Sequence, residues 1–200
     1  MVADPDCAAI QAVLRGDIER FAELVDRYQG PAQRIAFSLL GNAEDARDVS
    51  QEAFVSAFRS LARFRGGAKF STWLYRILVN ACKDLQRHRQ RRPMVVAAVG
   101  AADSDADDPS GGLFVEVADP GAGPSEQLAN RELARRLSEA IEALPEGRRT
   151  AFLLHHVNGL SLEEAARVMD CRVGTVKSHV FRATESLRGQ MTPWLAQERS

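Results

Sequence analysis

Apolar residues in this chain recur at three- and four-residue intervals, not in alternation, and that pattern predicts helices from end to end. A first stretch, 18–40, opens behind Asp17 as a candidate N-cap and offers Phe21, Leu24, Val25, Tyr28 and Ile35 to a core. It is expected to break near Gly30-Pro31 and to close at Gly41. Asn42 is placed to cap a second helix, whose first turn holds Glu44 and Asp45, where carboxylates interact well with the helix dipole. Its apolar stripe is Val49, Ala53, Ala57 and Leu61, with Phe54 and Phe58 beside it. After a Gly66-Gly67 turn, Ser71 is a candidate cap for a third helix. This one turns Trp73, Leu74, Ile77, Leu78, Ala81 and Leu85 inward and Arg76, Asn80, Lys83 and Arg87 outward.

Between residues 93 and 125 the helical period is lost and Ala, Asp, Gly, Pro and Ser dominate, which reads as a flexible acidic linker. Only 113–117, LFVEV, has the alternation of a short extended stretch, too isolated to found a sheet. Periodicity returns at 126–143. Pro145 and Glu146 then open a helix that ends at Asn158-Gly159. Ser161 and Glu164 have capping-box spacing at the head of 162–169, with Leu162, Ala165, Ala166 and Met169 inward; a turn at Asp170-Cys171-Arg172 leads into 173–188. The expected fold is all-α: two small helical domains, 1–92 and 126–193, joined by the linker 93–125 and followed by a tail, 194–200.

Composition narrows the class without naming a role. Two hundred residues, 45% hydrophobic and 26% charged, suit a globular chain. The longest apolar runs fall far short of the roughly 20 residues that span a bilayer. The start of the chain carries Asp4 and Asp6 in place of a basic n-region, so a cytoplasmic protein is expected. Three dispersed cysteines, Cys7, Cys82 and Cys171, form no CxxC pair and imply neither a disulfide nor a zinc site. Adjacent His155 and His156 point to different helix faces and cannot both grip one metal. No Gly-rich phosphate loop and no nucleophile elbow is present, so neither an enzyme nor a cofactor nor a small-molecule substrate is expected.

The formal net charge of −1 conceals a strong asymmetry. Residues 59–92 hold ten cations against the single acid Asp84, whereas 103–126 hold seven acids and no base. In the basic block, Phe64, Phe70, Trp73 and Tyr75 alternate with Arg63, Arg65, Lys69 and Arg76; aromatic platforms beside phosphate partners suit unpaired bases. Helical phase favours a core role for Trp73. Lys69 and Phe70, by the glycine turn, are better placed to meet an extruded base.

The short helix, tight turn and longer helix of 162–188 have the layout of a helix-turn-helix. At about 100° per residue, Val173, Val176, Val180, Ala183 and Leu187 share an inward sector. Gly174, Ser178, Phe181, Arg182 and Glu185 share the opposite one, flanked by Thr175 and Lys177. That outer face suits the major groove: Lys177 and Arg182 for phosphates or guanine edges, Ser178 for a base edge, Phe181 for a thymine methyl. His179 falls at the core boundary as a packing residue. From these residues alone, a stand-alone duplex-binding regulator and a protein-binding adaptor remain open beside a protein that opens DNA.

Three blocks, DARDVSQEAFVSAFRSL (45–61), FRGGAKFSTWLYRILVN (64–80) and GLSLEEAARVMDCRVGTVKSHVFRATESL (159–187), stand in an order that resembles the extracytoplasmic-function (ECF) sigma factors of bacterial RNA polymerase, the sigma-E-like branch especially. The resemblance implies that Asp45, Asp48, Gln51, Glu52 and Phe54 dock on core polymerase, its beta-prime and beta subunits. It implies that Arg65, Lys69, Phe70, Trp73, Tyr75, Arg76, Asn80 and Lys83 contact or support the melted non-template strand of the minus-ten element. Thr175, Lys177, Ser178, Phe181 and Arg182 would read the minus-thirty-five duplex. It further implies a stress-response role, an anti-sigma factor that is often membrane-anchored, a linker that threads polymerase channels, and weak promoter binding by the chain alone. The sequence departs from the family pattern at Gly67 and Ala68, where an acid and a small hydroxyl residue are common, and at His179 and Thr184, where basic residues are usual.

Overall fold

The computed structural model describes residues 5–91 and 124–197, and among them every regular element is helical. In chain order these are α1 (Cys7–Leu14), α2 (Phe21–Leu40), α3 (Ala43–Ser60), α4 (Phe70–Arg91), α5 (Pro124–Glu142), α6 (Glu146–Phe152), α7 (Leu162–Met169) and α8 (Val173–Gln197). Short 3₁₀ turns precede α2 and follow α3. The extended stretch expected at 113–117 lies outside the described residues. The last helix continues well past the expected end at 188.

Helix α2 corrects the expected break. It runs unbroken through Gly30 and Pro31, because Ala32, Ile35 and Ala36 are fully buried and their packing outweighs the hydrogen bond that proline cannot donate. Asp17 makes no side-chain cap bond. Gly41 does close the helix, at φ 69°, a left-handed conformation that glycine adopts without a Cβ clash. Ser71 is a second correction: α4 already begins at Phe70, where the Lys69 carbonyl accepts the Trp73 N–H at 3.2 Å, so Lys69 holds the boundary.

The two expected domains pack against each other. Helices α1 to α4 enclose Leu24, Ile35, Leu61, Leu74 and Leu78, and the same continuous core includes Leu154, Ala165, Ala166, Val168 and Val176 from the second half. A smaller cluster around Ile141, Leu153, Ala183 and Leu187 joins α5, α6 and α8, and Phe37 of α2 packs against it. Beyond α6 the chain widens into a π turn, Leu153–Val157. Asn158 closes it, with both its backbone N–H and its side-chain amide donating to the Leu153 carbonyl at 2.9 Å. Residues His155 and Leu160 then clasp the turn, imidazole Nδ1 to carbonyl, at 2.7 Å.

Beneath α4, the Asp6 carboxylate is wholly buried, pairs with Arg27 and accepts the Tyr28 hydroxyl at 2.6 Å. The Tyr28 ring meets Phe70 at 5.8 Å and Tyr75 edge-on at 6.2 Å. This ties α1 through α2 to the base of the cationic helix.

Candidate nucleic-acid interface and docking face

The α3 face follows from its cap and its period. The Asn42 side chain accepts the Asp45 N–H at 2.9 Å, which fixes the rotation of the helix. Ala46, Val49, Ala53 and Ala57 are then buried, while Asp48, Gln51 and Glu52 fall on an exposed stripe at i, i+3 and i+4. Asp45 is partly covered, because Arg89 of α4 donates to both its oxygens at 2.6 Å. Phe54 is a correction: it faces the core with 8% exposure, so it supports this face from beneath and offers no contact surface. The exposed stripe instead continues into Val55 and Phe58, two large apolar side chains that the reading by motif missed. Their spacing of seven from Asp48 and Gln51 was the signal, two helical turns along the same face.

At the glycine turn, Gly66 takes φ 68° and leads the chain into α4. Phe70 is completely buried, edge-on to Phe64 and tilted against Trp73 and Tyr28, and so cannot meet a base in this arrangement. Trp73 is half-buried, packs against the same core as expected and lines an open cleft. Tyr75 is buried as well, and that burial pushes its phenol up to about 12, so it supports the helix without touching a strand. Arg65, Lys69, Arg76 and Asn80 are exposed, and Lys83 is half-buried.

The helix-turn-helix forms as its spacing predicts. Ser161 Oγ accepts the Glu164 N–H at 3.1 Å and Glu164 Oε2 accepts the Ser161 N–H at 2.8 Å, a complete capping box. Asp170 turns the chain at φ 54°. The Arg172 carbonyl then accepts the N–H groups of Thr175 and Val176 and starts α8. Val176, Ala183 and Leu187 are buried. Val173 is not, a correction to the helical wheel, because the first turn of α8 borders the cleft toward α4. Thr175, Lys177, Ser178 and Arg182 are exposed together, and Phe181 shows 66% of its surface. His179 packs over Gly147, where a Cβ would stand 3.3 Å from its Nε2.

The cationic helix and the helix-turn-helix meet. Lys69 Nζ lies 3.0 Å from Glu164 Oε1, and an Arg76 nitrogen 3.5 Å from Asp170 Oδ1. Beside these pairs a cleft of about 770 Å³ is lined by Trp73, Arg76, Arg167, Asp170 and Val173. Burial alone would push the Glu164 carboxyl up, but the Ser161 N–H and the Lys69 ammonium outweigh it and hold it below its ordinary value.

Comparison with known proteins covers both halves of the chain. The family model described as Sigma-70 region 2 matches residues 24–92, and that described as Sigma-70, region 4 matches residues 134–187. The ECF RNA polymerase sigma-E factor of Escherichia coli is 38% identical over 190 residues, covering 94% of this chain and 95% of that protein. Two solved structures share the fold at 25% identity. CnrH in complex with the cytosolic domain of CnrY superposes with a TM-score of 0.66 over 95% of this chain and 99% of that one. The sigma factor RpoE in complex with the anti-sigma factor NepR from Bartonella quintana superposes at 0.61, over 88% and 97%. A chain that carries region 2 and region 4 in family order, and is this similar to sigma-E over nearly its whole length, belongs to the ECF sigma factors, the initiation factors of bacterial RNA polymerase.

Proposed function

We propose that this sigma factor divides its work among three faces. The α3 stripe of Asp48, Gln51 and Glu52, extended by Val55 and Phe58, docks on core polymerase. Arg65, Lys69, Trp73, Arg76, Asn80 and Lys83 engage the melted minus-ten strand, with Phe70 and Tyr75 as their buried base. Thr175, Lys177, Ser178, Phe181 and Arg182 read the minus-thirty-five duplex. On this division, 1–92 serves docking and melting, 93–125 serves as tether, and 126–193 serves duplex reading.

The observation that carries the reading is the outer face of α8, where Lys177, Ser178, Phe181 and Arg182 stand exposed on one sector of a helix whose opposite sector is core. A large apolar ring left in water beside two cations and a hydroxyl matches what major-groove readout needs. Because one solved relative is held by an anti-sigma factor, we assign a similar inhibitor to this chain, cytoplasmic or membrane-anchored, released under stress.

Transcription by purified core polymerase, with and without this protein, on a library randomised at both promoter elements tests the proposal. Specific initiation that depends on the added chain and on the exposed α8 residues supports it. A folded protein that binds operator duplex tightly without polymerase, and gives no initiation, overturns it.

A further inference from the structure

We infer that the cleft between α4 and the helix-turn-helix binds a small ligand, a phosphorylated purine nucleoside. Its volume of about 770 Å³ lies in the range that takes such a molecule. Two long helices begin on its wall: Thr72 stands in the first turn of α4, and Arg172 and Val173 bring in the start of α8. Neither first turn contains an acid, whereas those of α2, α3, α6 and α7 each do. Two uncompensated positive dipole ends therefore meet at one cleft. A second, independent observation is the Thr72 hydroxyl. The residue is 2% exposed, it lines this cleft, and its Oγ1 has no hydrogen-bond partner. Leaving a buried hydroxyl unpaired is costly, and a ligand oxygen seated here accepts its proton. Around it the guanidiniums of Arg76, Arg167 and Arg172 outnumber the carboxylates of Glu163 and Asp170. Arg76 lies 3.5 Å from Asp170, and Arg167 attracts Glu163. Arg172 is exposed and brings a planar fork suited to phosphate. Phosphate accounts for the cations and the dipoles; Trp73 points to the nucleoside. Half-buried in the lining, it offers a ring for a base to stack on, while the two carboxylates accept amino and ring N–H groups from a purine edge. Trp73 and Arg76 are also assigned to the minus-ten strand, so nucleotide and strand compete. That consequence alone rests on the strand assignment.

Thr72→Val keeps the shape of the side chain and removes the unpaired hydroxyl, and R167A/R172A removes two cations that the strand assignment does not use. The full-length protein, without polymerase, is titrated by calorimetry with guanosine diphosphate and adenosine diphosphate. Pyrophosphate, guanosine and a short DNA strand serve as comparisons. Thermal unfolding gives a second readout, since a ligand that binds only the folded chain raises the melting temperature. The diphosphates should bind more tightly than pyrophosphate or guanosine. Thr72→Val should weaken them by roughly 10- to 100-fold, as expected for a hydrogen bond to a charged oxygen, and R167A/R172A by roughly 10-fold or more. R15A/R59A, which removes two exposed cations outside the cleft, should change affinity by less than about 2-fold. Without ligand, the Thr72→Val protein should melt no lower than the native chain, because it loses no bond. A lower melting temperature would mean that the hydroxyl has a partner, and overturns the inference. No binding at millimolar nucleotide, binding that both cleft variants leave intact, or pyrophosphate binding as tight as that of the diphosphates also overturns it. So does a DNA strand that responds to both cleft variants when no free nucleotide does, since the cleft then belongs to the strand. Failure of the promoter assignment looks different: polymerase carrying the K69A protein would then melt promoters as well as the native chain does, with no nucleotide present.

Discussion

Replacing Asp6 isolates the link between α1 and the base of the cationic helix. Its carboxylate is fully buried and accepts the Tyr28 hydroxyl at 2.6 Å, while its ion-pair partner Arg27 remains 46% exposed. Asp6→Ala leaves the half-buried Tyr28 hydroxyl without its acceptor, a cost of about 1–3 kcal/mol. Arg27 returns to water and adds no more than about 1 kcal/mol, because solvent screens its half of the pair. The expected loss is thus about 2–4 kcal/mol. Tyr28→Phe removes the same hydrogen bond from the other side and should cost about 1.5–3 kcal/mol, the range for a bond to a charged group. The double variant should cost little more than Asp6→Ala alone, since with the hydroxyl gone nothing is stranded. Urea denaturation of the four proteins, closed as a double-mutant cycle, gives the coupling directly. Additivity within about 0.5 kcal/mol would refute the claim that this bond fastens α1 to α2. Trp73 emission should shift in both single variants, because Tyr28 packs on Phe70 and Phe70 on Trp73.

Other outcomes follow from the same geometry. Arg182→Ala should lower minus-thirty-five-dependent transcription by roughly 5- to 150-fold, the worth of one good base contact at about 1–3 kcal/mol, and leave polymerase retention in a pull-down unchanged. Glu52→Lys reverses charge on the exposed α3 stripe and should weaken polymerase binding in a competition assay, with the melting temperature held. Leu154→Ala empties part of the core that both halves share and should cost about 2–5 kcal/mol in chemical denaturation. Burial raises the Cys82 thiol from its ordinary 9.0 to about 12. Above pH 9 the unfolded chain therefore loses protons that the folded chain keeps. Stability present in full below pH 9 should fall as pH rises toward 12, and Cys82→Ala should flatten the early part of that fall.

What could be read in the sequence was local or periodic. The capping box at Ser161 and Glu164, the cap at Asn42 and the stop at Gly41 each depend on a few neighbouring residues, and each forms where its spacing places it. The exposed sector of α8 depends only on helical period, and it too was legible. The errors lie where a second element decides. Pro31 reads as a break until Ala32, Ile35 and Ala36 are seen to be fully buried, because tertiary packing overrides propensity. Phe70 and Trp73 look alike beside a glycine turn; Phe70 is drawn inward by Phe64 and Tyr28, residues 6 and 42 positions away in the chain.

The closure of the two halves was hidden for a sharper reason. Ala165 and Ala166 look like the ordinary interior of a helix-turn-helix, and nothing in their identity says whether the surface they pack on is α8 or α4. The acids Glu164 and Asp170 are equally ambiguous, since a cap and a turn account for both without any partner. Only when Lys69 and Arg76 are found opposite them does a second meaning emerge, one that no local pattern encodes. The seam also draws on larger side chains, Leu154, Val168 and Val176, which would serve equally well as the interior of either half taken alone.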